Sequence, residues 1–104
     1  MKIYNKLVRD KIPGIITADG ETCKTRILSD EEYMEALDAK LNEEVVEYQK
    51  DKSLEEMADI LEVLHAICDA RGYLLDELEA ARANKTDKKG GFCKKIYLES
   101  TTEF

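Results

Sequence analysis

Residues 29–72 read SDEEYMEALDAKLNEEVVEYQKDKSLEEMADILEVLHAICDARG, and this stretch decides the fold. Ser29 followed three residues later by Glu32 is a capping box, in which the hydroxyl accepts from the third helical N–H and the carboxylate reaches back to the serine N–H. Met34, Leu37, Leu41, Val45 and Tyr48 then recur at steps of three and four, the apolar stripe of an amphipathic helix that runs to about Lys50. Lys50-Asp51-Lys52 interrupts the pattern. Ser53 with Glu56 is a second capping box, opening a helix that ends at Gly72, a residue suited to a left-handed C-cap. A break this short makes the two helices an antiparallel hairpin.

A third helix is expected from Leu74 to about Asn84, with Leu74, Leu75, Leu78 and Ala81 on one side and Gly90-Gly91 ending it. Upstream, Met1–Ile16 mixes apolar and basic residues, with Pro13 and Gly14 as interruptions, and a short N-terminal helix is expected there. Asp19-Gly20 reads as a turn. Cys23–Leu28 and Phe92–Leu98 read as short strands able to form one small two-stranded pairing. The expectation is a single all-α domain over residues 1–104, built from three main helices and the short N-terminal one. Three helices leave the hairpin half-covered, so a second copy completing a four-helix core is expected.

Composition excludes several classes. The net charge of -7 argues against nucleic-acid polymers, whose partners normally carry a basic face. Hydrophobic residues at 43% are too many for a disordered chain. No apolar run reaches the roughly 20 residues of a bilayer span, and MKIYNKLVRDKIP lacks the features of a signal peptide. Cys23, Cys68 and Cys93 are odd in number and scattered, which fits reduced thiols in a cytoplasmic protein better than a disulfide frame or a zinc site. The charge is also unevenly spread. Residues 29–80 hold 17 acids and 4 bases, while the remainder holds 12 bases and 6 acids.

The acids of the hairpin form a constellation. Glu44 and Glu47 are three apart, as are Glu56 and Asp59, so each pair lies on one helix face about 4.5 Å apart along the axis. Glu44 and Asp59 are equidistant from the turn, as are Glu47 and Glu56, which brings four carboxylates to one height. At about 100° per residue, with Leu54 at zero, Glu56 and Asp59 fall near 200° and 140°, in line with Val63 and Ile67. Glu55, Glu62 and Asp69 fall near 60–100° and form a separate solvent stripe. Carboxylates that interrupt an apolar strip need compensation, and an all-oxygen set suits Mg²⁺, Mn²⁺ or Ca²⁺. A second account stands beside this one: Glu56 serves its capping box, and Glu43, Glu44 and Glu47 are a solvated face.

EEVVE at 43–47 followed by EEMAD at 55–59 resembles the EExxE…ExxD signature of the MazG-like all-α nucleoside triphosphate pyrophosphohydrolase superfamily. YNKLVRDKIP at 4–13 and the K-x₄-GGF-x₃-I-x-L pattern from Lys85 to Leu98 are similar to a small branch labelled phosphoribosyl-ATP pyrophosphohydrolase-like, or house-cleaning. The VRDKIP opening distinguishes it from the phosphoribosyl-ATP enzyme of histidine synthesis. The resemblance implies Mg²⁺-dependent hydrolysis between the α- and β-phosphates, giving a nucleoside monophosphate and pyrophosphate. It implies Glu44, Glu47, Glu56 and Asp59 as metal ligands, with Mn²⁺ as a possible substitute, and Glu43 as the residue that orients or deprotonates the attacking water. It also implies homodimers or homotetramers with sites at subunit contacts.

A triphosphate brought to an acidic metal site needs cations from elsewhere in the chain. Lys6, Arg9 and Lys11 at one end, and Lys85, Lys88 and Lys89 before Gly90-Gly91 at the other, are the candidate phosphate contacts. For Lys85–Lys89 a solvated helix end is the alternative. Tyr4, Phe92 and Tyr97 suit either stacking on a base or ordinary packing. Two other readings compete. Glu62-x-x-His65 has the spacing of a di-iron motif, but its phase, near 80° and 20°, lies off the Glu56/Asp59 line. A helical dimerisation or adaptor module with purely superficial acids is the non-enzymatic reading.

Overall fold

The two long helices form where the capping residues place them. In a computed structural model that describes residues 1–103, α1 spans Ile12–Ala18, α2 Asp30–Asp51, α3 Leu54–Arg71 and α4 Leu75–Lys89. Ser29 caps α2 with the full reciprocal box: its hydroxyl accepts from the Glu32 N–H at 3.2 Å, and Glu32 accepts from the Ser29 N–H at 3.3 Å. The α2–α3 connection is two residues long, with Lys52 in the left-handed region at φ 53. The Lys52 N–H returns to the Tyr48 carbonyl at 2.7 Å. α3 ends in a Schellman arrangement, the Gly72 N–H donating to Asp69 and the Tyr73 N–H to Cys68, with Gly72 at φ 80.

α2 and α3 pack along their length, and α4 touches only α3. Leu37 on α2 and Val63 and Cys68 on α3 are the buried apolar side chains among the described residues. Val63 sits on the same line as Glu56 and Asp59, so the face read as inward does meet α2. The opposite face of α3 stays open, with Leu54, Met57 and Leu61 exposed, as are Leu75 and Leu78 on α4. The Cα radius of gyration is 18.6 Å, against about 13 Å for a compact chain of this length. The helices alone do not enclose a core.

Three expectations need correction. Pro13 starts a helix and does not interrupt one: it occupies the first turn of α1, where a missing N–H costs nothing. α4 runs five residues past Asn84, to Lys89, because its last turns are polar and carry no apolar periodicity to read.

The pairing of Cys23–Leu28 with Phe92–Leu98 does not form, and no strand exists among the described residues. Arg26 is held at the start of α2 by both Glu32 oxygens, at 2.9 and 3.3 Å, and this drives the Glu32 carboxyl down to about 2. The C-terminal segment is bent by a turn in which Lys95, at φ 60, donates to the Phe92 carbonyl. Two strands without a covering face are marginal in any case. No helix among the described residues is long and apolar enough to cross a membrane.

Candidate metal centre on the helical hairpin

The four carboxylates read as ligands fall into two groups that share Glu56. Glu44, Glu56 and Asp59 each offer an oxygen within 4.8 Å of the others, and Glu47, Asp51 and Glu56 form a second such group. Glu56 belongs to both. Glu44 is buried, with 8% of its surface exposed, while Glu47, Glu56 and Asp59 are half-buried. The hairpin register explains the match, since the pairs equidistant from a turn centred near Asp51-Lys52 face each other across it.

The capping account of Glu56 covers only half of what the structure shows. Ser53 accepts from the Glu56 N–H at 3.3 Å, but the Glu56 carboxylate does not return to the Ser53 N–H as Glu32 does for Ser29. It turns instead toward Asp59, Asp51, Glu44 and Glu47. Partial burial pushes its carboxyl above the usual range, and repulsion from those four acids adds to the shift.

Two residues missing from the sequence reading complete the centre. Asp51, taken only as part of the turn, is the last residue of α2 and lies one helical turn beyond Glu47. The i, i+4 spacing from Glu47 was the available signal. Lys40 lies one turn before Glu43 and Glu44, with its ammonium 3.4 Å from Glu43 and 3.2 Å from Glu44. Its side chain is only 16% exposed. The same spacing rule applied to a lysine would have found it.

Glu43 stands outside both carboxylate groups. Burial alone pushes its carboxyl upward, but hydrogen bonding and charge from Lys6 and Lys40 outweigh that, so it lies below its ordinary value. Lys6 donates to it at 2.9 Å and is raised in turn by that bond. Arg9 donates to Asp59 at 2.6 Å. Of the six charge-candidate phosphate contacts, the structure therefore brings Lys6 and Arg9 to the acids. Lys11, Lys85, Lys88 and Lys89 are exposed and form no ion pair among the described residues. Tyr4, Phe92 and Tyr97 are exposed, Tyr4 lying beneath the ammonium groups of Lys2 and Lys6. Glu62 is exposed, His65 half-buried, and neither joins a carboxylate group.

The donor set suits a hard divalent cation. At a metal–oxygen length of about 2.1 Å, octahedral ligands lie about 3.0 Å apart when adjacent and about 4.2 Å when opposite. The oxygens of each carboxylate group lie within 4.8 Å of one another, a span that accommodates both separations. Glu47, Asp51 and Glu56 have no cationic partner among the described residues. Charge compensation is therefore incomplete on the side nearest the turn.

No protein-family model matches the chain, and no solved structure is similar to it. An uncharacterized protein of Mycolicibacterium smegmatis is 62% identical over 42 residues, which make up 40% of this chain and 43% of that protein. The likeness thus spans less than half the length of either protein.

Proposed function

We propose that this chain is a Mg²⁺-dependent nucleoside triphosphate pyrophosphohydrolase of the MazG-like kind, cleaving the α–β phosphoanhydride in a house-cleaning role on non-canonical nucleotides. The observation that carries the reading is the clustering of Glu44 and Asp59 on one side of Glu56 and of Glu47 and Asp51 on the other, with the Glu56 carboxylate making no return bond to its cap. Glu44, Glu47, Glu56 and Asp59 would hold the cation, and Asp51 extends the set toward the turn. A divalent ion there supplies charge neutralisation for the phosphates and a more acidic water.

The chain's own residues supply the rest. Glu43, kept ionised by Lys6 and Lys40, can accept a proton from the attacking water or orient it. Lys40 sets the spacing of Glu43 and Glu44 by holding both carboxylates at once. Exposed cations at either end of the chain are suited to the triphosphate's charge.

The test is a panel of canonical and modified nucleoside triphosphates incubated with Mg²⁺, assayed separately for pyrophosphate and orthophosphate. Pyrophosphate with the matching monophosphate is expected from at least one of them. Orthophosphate alone, or no product across the panel, rejects the reading.

The same proposal includes a homodimer or homotetramer. Leu54, Met57 and Leu61 form an exposed apolar face on α3, directly behind the acids, in a chain that buries little of its own apolar surface. A second hairpin laid there would complete a four-helix core. Wild type should sediment at a multiple of 11.9 kDa, and Leu61→Glu, which puts a charge in that interface, should shift it toward the single chain. A wild type that sediments as one chain at high micromolar concentration removes this part.

A further inference from the structure

The N-terminal arm straddles the hairpin and is tied to both helices at the candidate centre. Lys6 reaches Glu43 on α2, 37 residues away in sequence, and Arg9 reaches Asp59 on α3, 50 residues away. Between them Leu7 is half-buried, and a small cavity of about 110 Å³ lies between Asn5, Lys6 and Leu7 and the α2 residues Ala36, Ala39, Lys40 and Glu43. The alanines leave room for the arm to lie close to the helix. Asn5, at φ 45, turns the backbone as it enters this contact.

The two ion pairs differ in one respect. Lys6 holds an acid outside the carboxylate groups, whereas Arg9 holds a member of one. A guanidinium on Asp59 and a cation on Asp59 oppose each other: the 2.6 Å contact engages Oδ1 alone, but both positive charges draw on the same carboxylate and repel one another. We propose that Arg9 is an exchange residue: it neutralises Asp59 while the centre holds no cation, gives up that carboxylate when a divalent ion binds, and then pairs with a substrate phosphate. This rests on the hydrolase reading and adds an order to it, cation before nucleotide. Lys6 stays on Glu43 throughout and keeps the arm docked while Arg9 changes partner. Between the two partners the Arg9 guanidinium, 56% exposed, is solvated by water, so its release from Asp59 buries no unpaired charge.

Exchange predicts effects of opposite sign on two ligands, which a merely structural role does not. Mg²⁺ and Mn²⁺ binding to the full chain, measured by calorimetry, should tighten about three- to fivefold in Arg9→Gln, the scale of one half-exposed ion pair removed as competitor. Binding of inorganic pyrophosphate to the cation-saturated protein should weaken in the same variant by about tenfold or more. Lys11→Gln, which removes an exposed, unpaired charge two residues along the chain, controls for the general field and should move cation affinity by less than about twofold. Arg9→Lys keeps the charge without the planar fork and should fall between wild type and Arg9→Gln on both measurements. Unchanged or weakened cation binding in Arg9→Gln, with wild type binding normally, overturns the exchange and leaves the hydrolase reading in place. A wild type that binds no divalent cation overturns both.

Discussion

Glu47→Gln and Asp59→Asn should each lower Mg²⁺-dependent pyrophosphate release by at least about 100-fold, with the far-ultraviolet helical signal unchanged. Both substitutions keep the shape of the side chain and remove one negative oxygen. Each acid belongs to a different carboxylate group, Glu47 beside Asp51 and Asp59 beside Glu44, and the two groups share Glu56. Loss of activity in both variants therefore requires the whole cluster and not one half of it. Glu43→Gln separates roles: it should lower turnover while leaving cation affinity within about twofold, because Glu43 is bound to Lys6 and Lys40 and lies outside the groups. Glu55→Gln, on the exposed stripe of α3, should have no effect. Retention of more than about a tenth of wild-type release by either ligand variant would remove the cluster from the reaction.

The sequence made the hairpin and its four facing acids legible because each depends on local rules. A serine three residues before a glutamate, a step of three and four, and a short break fix two helices and their register. The same rules place Glu44 opposite Asp59 without knowledge of any distant contact. Lys40 and Asp51 obey those rules as well, Lys40 at i−3 and i−4 from Glu43 and Glu44 and Asp51 at i+4 from Glu47, but neither belongs to the paired three-residue spacing that marks the other acids.

What local rules do not carry is long-range pairing. Nothing in YNKLVRDKIP says that Arg9 lies on Asp59 or Lys6 on Glu43, since such pairs depend on how the arm lies over α2. The failed strand pairing has the same origin. CKTRIL has the composition of a strand, yet Arg26 bonds to Glu32 only six residues away, and a nearby strong partner outweighs a distant weak one. Glu56 shows the reverse case. Its cap was a sound local expectation, and its carboxylate left that cap for acids on the facing helix.

That displacement also sets the pH dependence. Glu56 lies above its ordinary value of 4.5, through partial burial first and then the charges of Asp59, Asp51, Glu44 and Glu47. A carboxyl with a raised folded pKa binds its proton more tightly in the folded state, so its contribution is full below about pH 4.5 and lost as pH rises through the folded value. Glu32, Glu43 and Glu79 lie below their ordinary values, so their contributions are lost only as pH falls into the acid range. As pH rises from about 4.5 through the raised value of Glu56, the trend from the centre is therefore downward in the absence of cations. Glu56→Gln should raise the metal-free melting temperature at neutral pH and flatten that slope.

Saturating Mg²⁺ should act in the opposite sense, because it binds only where the carboxylates are ionised and assembled. At 100 times its dissociation constant, a cation stabilises the folded state by about 2.7 kcal/mol. For a domain of this size that corresponds to a rise of at least about 10 °C. The rise should be larger at neutral pH than in the acid range, where protons compete with the cation for the carboxylates, and it should shrink sharply in Glu56→Gln. An equal rise in both ranges, or one that survives Glu56→Gln, would place the bound cation away from the residue that the two carboxylate groups share. A superficial acidic face would give no such rise, which makes the melting curve the quickest way to separate the enzyme from the adaptor reading.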